Sequence, residues 1–141
     1  MSDLYGVIGT SNYTNLLADP QGADVFGIPC EPGNGDITVG TVMYRKSSGL
    51  WAPAASAQIV NTNQLAVLKE AVATGDAPAS GETAVAEDAA AYRAGCFIDG
   101  AVTLAAGAAL TEAHKVILRL QNIVFDKKES TNTFTNTVTG S

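Results

Sequence analysis

The stretch LAVLKEAVATGDAPASGETAVAEDAAAYRAGCFIDGAVTL, residues 65–104, decides how this chain is read. It opens with strand character at Leu65, passes through small and acidic residues over 75–91, and regains strand character at Tyr92. Loops of that length are uncommon in compact domains and tend to be functional or disordered. The segment carries Asp76, Glu82, Glu87 and Asp88 and no Lys or Arg. It offers no nucleophile–base pair and no aromatic floor for a ligand. An exposed acidic flap therefore fits better than an active-site lid. Alanine favours helix, so AVAEDAAAY, residues 84–92, can supply one or two helical turns.

On either side the pattern is β. Leu65, Val67 and, less cleanly, Lys69 alternate against Ala66, Leu68 and Glu70. YRAGCFI (92–98) and AVTL (101–104) read as two strands joined by Asp99-Gly100, a good short hairpin signal. Upstream, DVFGIPC (24–30) reads as a short strand, and Pro29 and Pro32 keep it at a sheet edge. EPGNGD (31–36) is turn chemistry. ITVGTVMYR (37–45) is a strand, KSSG a hairpin loop and LWAPA (50–54) the return strand. Downstream, Thr111 caps a helix and Glu112 suits its first turn. Leu110, Ala113, Val116, Ile117, Leu120 and then Ile123 or Val124 recur at helical spacing. NIVF (122–125) leaves as a final strand. The fold class expected is mainly β, with one short C-terminal helix.

The totals bound the rest. With 141 residues, one domain is the default. Hydrophobic residues make up 46%, but 23 of them are alanines and only 36 are Val, Ile, Leu, Met, Phe or Trp. A methyl group buries little area, so the core is expected to be thin. Extra stability from a partner or from self-association then suits the chain. The net charge is −6, with eight Lys and Arg against fourteen Asp and Glu. Nucleic-acid binding needs concentrated cations, and the basic pairs here are Arg45-Lys46 and Lys127-Lys128 alone. No apolar run of eighteen residues marks a membrane span, and no secretory signal is visible. Cys30 and Cys96 are then read as reduced, partly buried thiols rather than a disulfide.

Both ends stand out. Residues 1–22 read as an arm. Leu4, Tyr5, Val7, Ile8, Tyr13, Leu16 and Leu17 place seven apolar side chains within fourteen positions. Such a set fits either a docking segment or an arm packed on its own domain. Residues 127–141 form a Thr-rich tail. Thr131, Thr133, Thr135, Thr137 and Thr139 alternate with Asn132, Phe134, Asn136 and Val138. In an extended chain the threonines share one side. Strand addition to a neighbour's sheet edge is one reading of the tail, through Thr131, Thr133, Phe134, Thr135, Thr137 and Val138. A solvated Ser/Thr/Asn segment is the other. The central domain then spans 23–126.

Chemistry is sparse. His114 is the single histidine, and Glu112, two residues away, points elsewhere on a helix. It is read as a surface or core-edge side chain. One His and two remote Cys give no metal-ligand set. Glu87-Asp88 is an adjacent acidic pair of the kind that keeps a segment soluble. Neither GNGD nor GCFIDG continues into the Lys-Ser/Thr of a phosphate cradle. No catalytic residue, cofactor or metal is expected. The competing enzyme reading would use Glu87, Asp88 or His114.

The order of segments resembles the head decoration proteins of tailed phages, the lambda-type capsid cement family. NLLADPQG (15–22) is similar to the family's NLLAG segment after its N-terminal arm. GDITVGTVMYRKSSGLWAPA (35–54) looks like its glycine, strand and return. LAVLKEAVAT (65–74), YRAGCFIDGAVTL (92–104) and EAHKVILRLQNIVF (112–125) follow in the family's order. The likeness covers about 15–125. The 75–91 loop is longer than the family's, Cys96 stands where an acidic residue is usual, and the Thr-rich tail falls outside it. The resemblance implies a small β-clip or barrel-like domain with an extended N-terminal arm. It implies a homotrimer at three-fold and quasi-three-fold sites on the outside of an expanded head. The partner would be the major capsid protein, gripped by the arm's apolar residues. The protein would reside on the virion's outer surface, and in the host cytoplasm before assembly.

Overall fold

The computed structural model describes residues 16–126, apart from residue 84 and the side chain of residue 20. The chain is mainly β, as its patterning predicts. Eight strands run in the order β1 (Leu17–Cys30), β2 (Asp36–Ile37), β3 (Val42–Arg45), β4 (Trp51–Pro53), β5 (Leu65–Leu68), β6 (Val72–Ala73), β7 (Glu87–Ile98) and β8 (Ile123–Asp126). One α-helix, α1 (Glu112–Arg119), precedes β8. β2 and β6 form a separate two-stranded sheet. The other strands are ordered β1-β4-β3-β5-β7-β8, and β7 also pairs with β1. That extra pairing closes a five-stranded circuit, β1-β4-β3-β5-β7, with β8 added to β7.

β7 corrects the central expectation. The flap ends before Glu87, so Glu87 and Asp88 open a strand and are not loop residues. Residues 87–92 are strand rather than helix, because their neighbours outweigh alanine's own preference. Ala89 and Ala91 are buried beneath β1 and β5, where small side chains let the strands approach. β5 is buried at all four positions instead of alternating. The reason is that both faces are covered. Leu65 and Val67 join one core, with Val42, Tyr92, Phe97 and Leu118. Ala66 and Leu68 join another, with Ile28, Met43 and Trp51.

Two other predicted strands are interrupted. ITVGTVMYR breaks between β2 and β3, where Gly40 takes φ +87°. AVTL does not return along β7. Both flanks of β7 near Ile98 are already occupied by β1 and β8, so 101–104 turns inward. Val102 and Leu104 enter the core, and Thr103 bonds its amide to the Gly40 carbonyl (2.9 Å).

The helix starts as predicted. The Thr111 side chain accepts the His114 amide proton (3.3 Å), and the Thr111 amide donates to His114 Nδ1 (3.0 Å). Its buried face differs from the predicted stripe. Leu118 is the fully buried residue, whereas Val116 and Leu120 are 52% and 64% exposed and Ala113 is exposed. The apolar period runs on past the helix, but the chain turns at Asn122 (φ +68°) into β8. Ile123 and Val124 therefore belong to a strand and not to the helical face.

The arm boundary moves as well. Leu16 is buried in the core, and its carbonyl accepts the Ile98 amide proton (2.7 Å). Leu17 pairs with Phe97 and packs on the same core. Both belong to the body, because exposing them would forfeit apolar burial worth about 1.5–3 kcal/mol for a fully buried leucine. Leu4, Tyr5, Val7, Ile8 and Tyr13, and the tail residues Thr131, Thr133, Phe134, Thr135, Thr137 and Val138, lie outside the described residues.

Gly40 locks this region. A Cβ there would stand 2.7 Å from the Ala101 carbonyl oxygen and 3.2 Å from Leu16. Gly40→Ala should lower stability by about 2 kcal/mol or more, combining positive φ with a backbone clash. Chemical denaturation measures this, and an unchanged midpoint would refute the close approach.

Candidate partner-binding surface

Topology gathers the two chain exits at one end of β7. β1 is antiparallel to β7 and β8 is parallel to it. The start of β1 and the end of β8 therefore both point past Ile98. The hydrogen bonds agree: Ile98 donates its amide proton to Leu16, and Asp99 donates to the Asp126 carbonyl (2.6 Å). Neighbouring strands lie about 4.8 Å apart, so the exits flank β7 within roughly 10 Å of each other.

The same end carries an ion pair. Lys115 Nζ reaches Asp99 at 2.6 Å and lies 5.9 Å from the Phe125 ring centroid. The hydrogen bond to Asp99 holds the Lys115 ammonium pKa above its ordinary range. This ties α1 to the turn between the exits.

Acidic groups gather at the opposite end. Glu87 and Asp88 are exposed at the start of β7, eleven steps and about 36 Å from Ile98. Asp76 and Glu82 are exposed in the loop leading to them. That loop is pinned at its root. The Thr74 hydroxyl donates to the Gly35 carbonyl (2.8 Å) and accepts the Asn34 amide proton (2.9 Å). Cys30 is fully buried beside this acidic end. Burial, followed by the charges of Asp88, Glu70 and Glu87, pushes its thiol pKa up to about 11. Cys96 is half-buried, and burial raises its pKa too. Both are free thiols. Cys30 pairs with Glu87, nine residues from Cys96 along β7, or about 30 Å. A disulfide between them is out of reach.

The candidate catalytic side chains are not brought together. Glu87 and Asp88 sit on β7, while His114 sits on α1. His114 does meet a hydroxyl that the sequence gave no reason to single out: Nε2 lies 2.8 Å from Ser56 Oγ. The orientation is wrong for activating Ser56. Nδ1 accepts the Thr111 amide proton, so in the neutral ring the proton resides on Nε2, which donates to Ser56. A general base would need its free lone pair there. The largest cleft, about 540 Å³, lies between Asn34–Asp36, Thr38, Thr41 and the turn at Ala106. Asp36 is the one titratable side chain lining it. Among the described residues, no three His, Cys, Asp or Glu side chains cluster as metal ligands would. No helix among the described residues is long and apolar enough to cross a membrane.

β1 also presents an open edge. Ala90 turns its carbonyl to the Lys69 amide (2.9 Å) and its amide to Glu70 (2.9 Å), away from β1. Its partner Gly27 must then point its own amide and carbonyl away from β7. The side chain of neighbouring Val25 is 45% exposed. Pro29, two residues on, turns its missing N–H to the same outer side, as an edge proline should.

No family model and no curated protein matches this chain.

Cys30 supplies a direct check of burial at the acidic end. Alkylation at pH 8 should be about 100-fold slower in the native protein than in the unfolded chain, from thiolate population alone. The linked stability should hold below pH 9 and fall as pH rises toward 11, because the unfolded thiol ionises first. Comparable labelling rates would contradict the buried, carboxylate-ringed thiol.

Proposed function

We propose that this chain is a capsid decoration protein. It binds the outside of an expanded phage head as a homotrimer at three-fold and quasi-three-fold sites, through the major capsid protein. The observation that carries this reading is the molecule's polarity. The N-terminal segment leaves from one end of β7, and exposed carboxylates gather at the other. A cement protein needs one end that grips the shell and one that stays in solvent. The segment order resembling the lambda-type family supports the same assignment.

The energetics fit a multivalent clamp. A single segment with a few apolar anchors binds weakly, because ordering it costs conformational entropy. Three segments on one trimer act at high effective concentration, and avidity exceeds a single segment by roughly 10²–10⁴-fold. Symmetry makes each contact occur three times. The apolar anchors are Leu4, Tyr5, Val7, Ile8 and Tyr13; Leu16 and Leu17 stay in the body.

Removal of residues 2–14 should leave a folded trimer by light scattering that no longer co-sediments with expanded heads. Full retention of binding by that truncated chain would overturn the assignment.

A second reading, assembly by strand addition through the tail, draws on the open edge at Val25 and Gly27. It expects concentration-dependent filaments that disappear when residues 129–141 are removed. Gly27→Pro should block them while sparing the β1–β7 ladder, since the Gly27 amide points outward. Filaments that persist in the Gly27→Pro chain would exclude that edge.

A further inference from the structure

We propose that residues 127–141 are a second anchor on the same shell surface that residues 1–15 grip. This rests on the decoration reading and names a second contact for it. Strand direction carries the argument. β1 runs against β7 and β8 runs with it, so the chain before Leu17 and the chain after Asp126 leave the body in one direction. The two exits are bonded to consecutive residues of β7, Leu16 to Ile98 and Asp126 to Asp99. They stand roughly 10 Å apart, the width of two strand spacings.

Fifteen residues lie beyond each exit in this sequence. Fifteen residues span at most about 50 Å. A surface held by the first segment is therefore inside the reach of the second, at an effective concentration in the millimolar range. The tail's composition suits a protein surface with an open strand edge. Thr131, Thr133, Thr135, Thr137 and Thr139 alternate with Phe134 and Val138, which gives β-compatible residues with apolar anchors on one side. Lys127 and Lys128 stand at its root. They set cations at the gripping end, about 36 Å from the carboxylates that open β7. The shell surface taken by this root is accordingly acidic.

Four chains test it by co-sedimentation with expanded heads: full length, lacking 2–14, lacking 129–141, and lacking both. The tail-less chain should bind about 10-fold or more weakly than full length, with unchanged mass and thermal midpoint. Phe134→Ala with Val138→Ala should reproduce most of that loss. Trypsin cleavage at Lys127 and Lys128 should slow when the full-length protein is on heads. Full-length binding with an equally tight tail-less chain, or with undiminished trypsin cleavage, overturns the tail's role and leaves the decoration reading standing. A tail-less chain whose mass falls assigns the tail to contacts between copies, which also overturns it. No binding by the full-length chain overturns both readings.

Discussion

Everything in this molecule depends on one strand being hydrogen-bonded along both of its edges. β7 lies against β1 on one flank and against β5 and then β8 on the other. Phe97 sits fully buried near its end, edge-on to Tyr92 at 5.4 Å and tilted against Phe125 at 6.2 Å. Large side chains are few, and the chain compensates by closing its strands into a circuit. Closure leaves few unpaired edges and lets alanines at 89 and 91 serve as spacers between strands. It also covers both faces of β5, so a thin supply of leucine and valine still makes two cores.

The same strand sets the layout of the surface. Its first residues carry the acidic loop and the buried Cys30; its last residues hold both exits. Charge and chain termini are thereby separated along the long axis of one element. The Ser56–His114 contact shows how local chemistry can mimic a catalytic pair without its function. The cap at Thr111 fixes the imidazole proton on the nitrogen facing the hydroxyl, and the contact becomes a brace between the 56–58 turn and α1. Gln121 braces similarly, accepting the Leu65 amide proton (2.9 Å) and donating to the Asn63 carbonyl (2.7 Å).

Local chemistry was legible in the sequence; long-range pairing was not. The Thr111 cap, the hairpin between β3 and β4 and the exit strand at Ile123 follow from residues within a few positions of each other. The edge placement of Pro29 follows from its missing proton. Residues 87–91 misled, because alanine and glutamate favour helix until β1 and β5 are laid beside them. Asp99-Gly100 misled because a hairpin needs a vacant flank, and β8, more than twenty residues later, takes it. Leu16 looked like a free anchor because nothing nearby in sequence reveals that Gly40 and Ile98 receive it. The Ser56–His114 contact joins residues 58 apart and left no pattern to find.

The antiparallel course of β1 has a mechanical consequence. A pull transmitted through residue 16 runs along the strand's own axis. It loads the ladder in shear, so many rungs share the tension, instead of peeling them open one after another. The ladder is divided by irregularities between Leu17, Asp19 and Asp24, beyond which six consecutive pairs run from Val25 to Cys30. The outer rungs can yield and absorb a sudden strain while the inner six keep the body attached. A swelling shell would meet a spring in series with a lock.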